Sequence, residues 1–110
     1  MKTGKRILCA VLATLTACLT AAGFASCKKR AKYTVGICQL VTHDALDAAT
    51  EGFMAALTAE LGAENVAFDL QNAAGSADTC GTIVNTFVSK RVDLILANAT
   101  PALLAAANST

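Results

Sequence analysis

From residue 33 onward the hydrophobic pattern switches repeatedly between strand and helix periods. Residues 33–41 (YTVGICQLV) form a nearly continuous apolar run rich in β-branched side chains, the pattern of a strand buried on both faces. Residues 44–61 then place Leu46, Ala49, Phe53, Leu57 and Leu61 on one helical face, and Gly62 follows as a stop. Residues 66–70 (VAFDL) read as a second strand. Ser76 caps a second helix whose apolar stripe is Cys80, Ile83, Val84 and Phe87, and Lys90 and Arg91 close it where positive charge suits the helix dipole. Residues 92–97 (VDLILA) are the third strand, and Thr100-Pro101 opens a third helix, with Thr100 as N-cap and proline at the first position. The order β-α-β-α-β-α, with short connections and right-handed crossovers, predicts an α/β fold: an open parallel sheet with helices on both faces.

The pattern before residue 33 is of another kind. Lys2, Lys5 and Arg6 precede an uncharged stretch over residues 7–26, and the small residues Ala25 and Ser26 lead into Cys27 and the basic run Lys28, Lys29, Arg30, Lys32. This predicts a lipoprotein signal peptide over residues 1–26, a lipidated basic tether over 27–32, and an exported domain over 33–110. Small residues let an extended backbone enter a peptidase cleft, and a cysteine thiol there accepts the diacylglycerol. Lipid and basic cluster together make a two-signal membrane anchor. Cys27 is favoured as acceptor because the charged tether starts directly after it. Two alternatives stand beside it. Leu15-Thr16-Ala17-Cys18 has Leu three residues before its cysteine, where Cys27 has Phe24, and residues 7–26 are just long enough to span a bilayer uncleaved.

Charge divides along the same line. Within residues 33–110 the only cations are Lys90 and Arg91, against all eight carboxylates of the chain, so the formal net charge of +1 conceals an acidic domain. A nucleic-acid partner would need a basic face and is excluded on this ground. Of the five cysteines, Cys9, Cys18 and Cys27 lie in the leader or at its end. Cys38 falls in a buried strand and Cys80 on the apolar side of a helix, which makes them unpaired small hydrophobes rather than a disulfide framework. With one histidine and no CxxC or Cys/His cluster, neither a zinc site nor another cofactor is expected.

In such a sheet the first strand lies between the second and third, and ligands bind at the carboxyl ends of the strands beside that reversal. The loops there span residues 39–44, 71–76 and 98–101, and all lead into helix N-termini, whose free N–H groups and positive dipole ends suit a carboxylate without an arginine. Gln39, Asn72, Asn98 and Thr100 donate and accept, as recognition of a zwitterion needs. Each also has a plain structural role available: Thr100 as a cap, Asn72 in an Asx-turn, Asn98 in a strained loop conformation. His43 has no nucleophile in a recognisable turn near it, so it is read as a loop residue that orders the helix start or lines a pocket rather than as a catalytic base. No enzymatic activity is expected. Three strands and fewer than eighty folded residues make a marginal core, and residues 33–110 are read as the front of a longer protein with apolar sheet edge and helix surface left exposed.

At these loops the chain resembles a known family. VGICQLVTHDALDAATEGF, QNAAGSADTC, IVNTFVS and VDLILANATPAL are similar to the N-terminal part of ABC transporter substrate-binding proteins, in the family whose described ligands include tryptophan and related amino acids. The resemblance implies a truncated N-terminal lobe of a bilobed, type I periplasmic-binding-protein fold, and an exported, lipid-anchored receptor that delivers a small solute, an aromatic or other apolar amino acid, to an ABC permease. By matching motif, Gln39, Leu40, His43, Asn72, Asn98 and Thr100 would form this lobe's wall of the cleft. The same bilobed domain also serves signalling receptors, and a sugar or nucleoside ligand stays open. The loops lack Phe, Tyr and Trp for stacking on a sugar, which favours the amino acid. An exported enzyme would need a catalytic constellation beyond residue 110, and a repressor would carry a DNA-reading module where the leader stands. Replacing Cys27 with Ser is expected to move the protein from the membrane to the soluble exported fraction, read by fractionation and intact mass. Continued anchoring at unchanged mass would assign the membrane attachment to Cys18 or to an uncleaved leader.

Overall fold

The computed structural model describes residues 29–110. The leader, Cys27 and the alternative Cys18 lie outside the described residues. Three strands and three helices alternate: β1 (Tyr33–Gln39), α1 (Asp44–Leu61), β2 (Val66–Asn72), α2 (Ala77–Lys90), β3 (Leu94–Asn98) and α3 (Thr100–Ser109). The strands form one parallel sheet in the order β2-β1-β3, so the direction of winding reverses between β1 and β3.

Two layers cover the sheet, and the two-residue period of β1 divides its side chains between them. Val35 and Ile37 pack with Val66 against Phe53, Met54, Leu57 and Leu61 of α1. On the other face Cys38 joins Cys80, Ile83, Val84 and Phe87 of α2 and Ala102 of α3. Cys38 and Cys80 are both free and fully buried. Burial, then the neighbouring Cys80 thiol, pushes Cys38 up to about 12, so it stays protonated and apolar in character.

The element bounds differ from the hydrophobic pattern where a backbone partner outweighs a side chain. Val41 is apolar but lies past the end of β1 in a bend and is 38% exposed. Val92 donates to the Phe87 carbonyl and closes the end of α2 instead of opening β3. Asp93 exchanges two bonds with Thr34, its N–H reaching the Thr34 carbonyl at 2.8 Å and its carboxylate accepting from the Thr34 N–H at 2.7 Å, and this link sets the register from which β3 starts. On α1 the inward position expected for Ala49 belongs to Thr50, which is 3% exposed while Ala49 faces solvent. The N-cap of α3 is Ala99, not Thr100, and Thr100 and Pro101 are its first two helical residues, so the helix starts one residue earlier than the Thr-Pro pattern suggested. Asp69 on β2 is held below the usual carboxylate range by hydrogen bonds from Lys90 and Gln71, and the Lys90 pair at 2.7 Å ties the end of α2 to the sheet. The expected exposed apolar surface is present at Leu94 of β3 and at Leu103 and Leu104 of α3.

Gly36 sets how closely α2 approaches the sheet. A Cβ there would stand 2.6 Å from the Phe87 ring, and Phe87 is fully buried and has no room to swing away. In the full-length protein Gly36→Ala is therefore expected to lower stability by about 1–3 kcal/mol, read as a fall in the urea midpoint. Gly52→Ala, on an exposed stretch of α1 with nothing within 4 Å, is the control, expected to be neutral or to stabilise by up to about 1 kcal/mol.

Candidate functional site

Register brings the strand ends into one row. Gln39 pairs with Asn72 on one side and with Asn98 on the other, so three amide side chains stand in line at the carboxyl edge. Because in-register residues of a parallel sheet share a face, all three lie on the α1 side.

The middle and one end of this row are committed to holding α1. Gln39, 4% exposed, donates from Nε2 to the Val41 carbonyl at 3.0 Å and to the Asp47 carboxylate, and its Oε1 accepts from the Thr50 hydroxyl at 2.7 Å. Asn98 donates from Nδ2 to Thr50 Oγ1 and to the Leu46 carbonyl, both at 2.9 Å. Asn72, at the other end, is exposed. Its Oδ1 accepts from the Ala74 N–H at 2.8 Å in an Asx-turn, and its Nδ2 reaches the Thr42 hydroxyl at 3.2 Å. That turn holds Ala74 in the left-handed region, φ 51°.

The helix starts at this edge differ in how they are closed. His43 is the N-cap of α1, with extended backbone and Nδ1 accepting from the Ala45 N–H at 3.2 Å. Ser76 caps α2, its hydroxyl accepting from the Thr79 N–H at 3.2 Å. Ala99 at the head of α3 has no side-chain acceptor to offer, so no side chain caps that first turn. Its backbone, φ 98° and ψ 158°, lies in a region nearly confined to glycine, a cost of ~1–3 kcal/mol that surrounding structure must sustain. Asn98 anchors the residue before it, and the Leu103 N–H bonds the Ala99 carbonyl at 3.0 Å after it.

Of the residues singled out in the sequence, Gln39 and Asn72 border one cavity of about 350 Å³, together with Thr42, Asp47, Thr50 and Leu70. Asn98 is joined to that cluster through Thr50. Leu40 packs on the opposite side, against the α2–α3 core. Thr100 is exposed at the head of the groove between α2 and α3, and His43 is exposed at the tip of its loop. Thr50, Thr42 and Asp47 are participants that the sequence reading did not single out. A signal for Thr50 existed, since it stands four residues after Leu46 and three before Phe53 on the apolar face of α1. Among the described residues no group of His, Cys, Asp and Glu is placed to hold a metal ion, and no helix is long and apolar enough to cross a membrane.

Comparison with known proteins agrees with this fold. Residues 34–110 match the family model described as ABC transporter substrate binding protein. Over 78 residues the chain is 42% identical to a "Tyrosine-binding protein" of Clostridioides difficile (strain R20291), a match covering 69% of this chain and 23% of that protein. Among solved structures it is similar to the ligand-free, open form of a substrate binding protein with adhesive properties from Clostridium difficile, with 43% identity and a TM-score of 0.67, covering 71% of this chain and 27% of that one. The chain thus spans about a quarter of the length of these relatives.

Proposed function

The chain belongs to the ABC transporter substrate-binding protein family, and from that premise we propose that it forms the front of the first lobe of an exported receptor that captures an amino acid, aromatic or otherwise apolar, for uptake through an ABC permease. The observation that carries the reading is the unequal closure of the three helix starts at the carboxyl edge. The starts of α1 and α2 are satisfied by His43 and Ser76, whereas α3 presents its first turn and the exposed Thr100 hydroxyl with no side-chain cap. An amino-acid carboxylate placed there would meet N–H donors and the positive end of the helix dipole without a cationic side chain.

Tyrosine binding by a 42% identical relative supports an aromatic amino acid as the ligand. In this reading Thr100 meets the ligand, His43 and Asn72 complete this lobe's wall, and Leu40 backs it from the α2–α3 core. Gln39 and Asn98 serve the wall from behind, through the bonds that hold α1. A second lobe would close over the ligand, and the closed arrangement, stabilised by contacts from both lobes, would be the form a permease distinguishes. The lipid on Cys27 would keep the receptor at the outer face of the cytoplasmic membrane, beside that permease.

Calorimetric titration of the full-length, leaderless protein with tyrosine, tryptophan, phenylalanine, leucine and ribose tests the proposal. Saturable binding of an amino acid is expected, with Thr100→Val weakening it about tenfold and Thr100→Ser restoring most of it. Binding of ribose alone, or of none of the five, would overturn it.

A further inference from the structure

Thr50 is an unusual residue for its position. It sits in the second turn of α1, 3% exposed and the one buried residue of that helix, on the face that carries the half-buried Leu46, Phe53, Met54 and Leu57. A threonine inside a helix commonly turns its hydroxyl back to a carbonyl one turn earlier, as Thr82 and Thr86 do on α2. Thr50 does not. Its hydroxyl donates across the layer to Gln39 Oε1 at 2.7 Å and accepts from Asn98 Nδ2 at 2.9 Å, so one oxygen joins α1 to the ends of both β1 and β3.

The surroundings make that oxygen hard to replace. Both of its hydrogen-bonding roles are used, and every buried side-chain polar atom among the described residues has a partner. Removing the hydroxyl leaves Gln39 Oε1 buried without its donor, and leaves Asn98 with the Leu46 carbonyl alone. Asn98 directly precedes Ala99, whose strained backbone sets the direction in which α3 and Thr100 leave the sheet. A conformation of that kind persists only while its neighbours over-determine it, and Asn98 is the neighbour on the strand side.

We propose that Thr50 is a positioning residue of the ligand cleft: through Asn98 its hydroxyl holds the β3–α3 loop in its strained form and so aims the open end of α3, without itself touching the ligand. The binding arm of the test rests on the cleft reading given above. The structural arm does not.

In the ligand-free, full-length protein, hydrogen exchange of Thr50→Val, which keeps the side-chain shape and β-branching and removes the hydroxyl, is compared with that of wild type and Thr50→Ser. Exchange over residues 98–104 is expected to rise about tenfold in Thr50→Val, to stay near wild type in Thr50→Ser, and to be unchanged over α2. Asn98→Ala cuts the same link from the strand side. It is expected to reproduce the pattern, and the double variant to add little further. This also provides the decision if Thr50→Val does not fold. With L-tyrosine as probe, affinity is expected to fall about tenfold in Thr50→Val and to recover in Thr50→Ser. Unchanged exchange over residues 98–104, or an equal rise throughout the lobe, would overturn the positioning role. Raised exchange over residues 98–104 in Thr50→Val, with a wild-type protein that binds none of tyrosine, tryptophan, phenylalanine and leucine, would retain the structural role and defeat the amino-acid reading instead.

Discussion

The carboxyl edge of this lobe depends on three side chains bonded in sequence: Gln39, Thr50 and Asn98. Parallel pairing aligns the ends of β1 and β3, but main-chain ladder bonds leave the position of a covering helix free. Hydrophobic contact with Phe53, Met54 and Leu57 brings α1 onto the sheet and is non-directional. The polar chain supplies direction. With Gln39 and Thr50 both almost fully buried, a slip of the helix along the sheet would strand buried polar atoms, and such atoms cost far more unpaired than a paired bond contributes net.

The opposite face is ordered by shape instead. Gly36 removes a side chain where the Phe87 ring must lie, and the fully buried thiols of Cys38 and Cys80 fill the space beside it. One face of the sheet is thus specified by hydrogen bonds near the carboxyl edge and the other by close packing in its middle. This division suits a binding scaffold. The packed face gives rigidity, and the bonded edge fixes α1 against the ends of β1 and β3.

Much of this was legible in the sequence. The alternation of elements, the sheet order and the stripe Cys80, Ile83, Val84 and Phe87 follow from period and from turn residues, and the structure has them as read. Errors fell where hydrophobicity and backbone bonding disagree. Val41 and Val92 are apolar yet lie outside strands, because a bend and a helix-closing bond claim them. Ala49 was preferred over Thr50 for the inward face because alanine is apolar, whereas the buried position needs a hydroxyl for Gln39 and Asn98. The amides at the strand ends were visible as polar groups in the right place. What the sequence could not express is that two of them are engaged from within, since Asp47 and Thr50 on Gln39, and Leu46 and Thr50 on Asn98, lie between 8 and 52 residues away and meet them only after folding.

The proposed function reduces to a single physical statement, that the open first turn of α3 would receive the ligand's negative group. Titrating isotopically labelled full-length protein with L-tyrosine while following its backbone amides tests that statement most directly. Saturable shifts centred on Thr100 and Ala102, with much smaller shifts at Ala45 and Thr79 in the side-chain-capped starts of α1 and α2, are the expected result. Saturable binding that leaves Thr100 and Ala102 unmoved would contradict it.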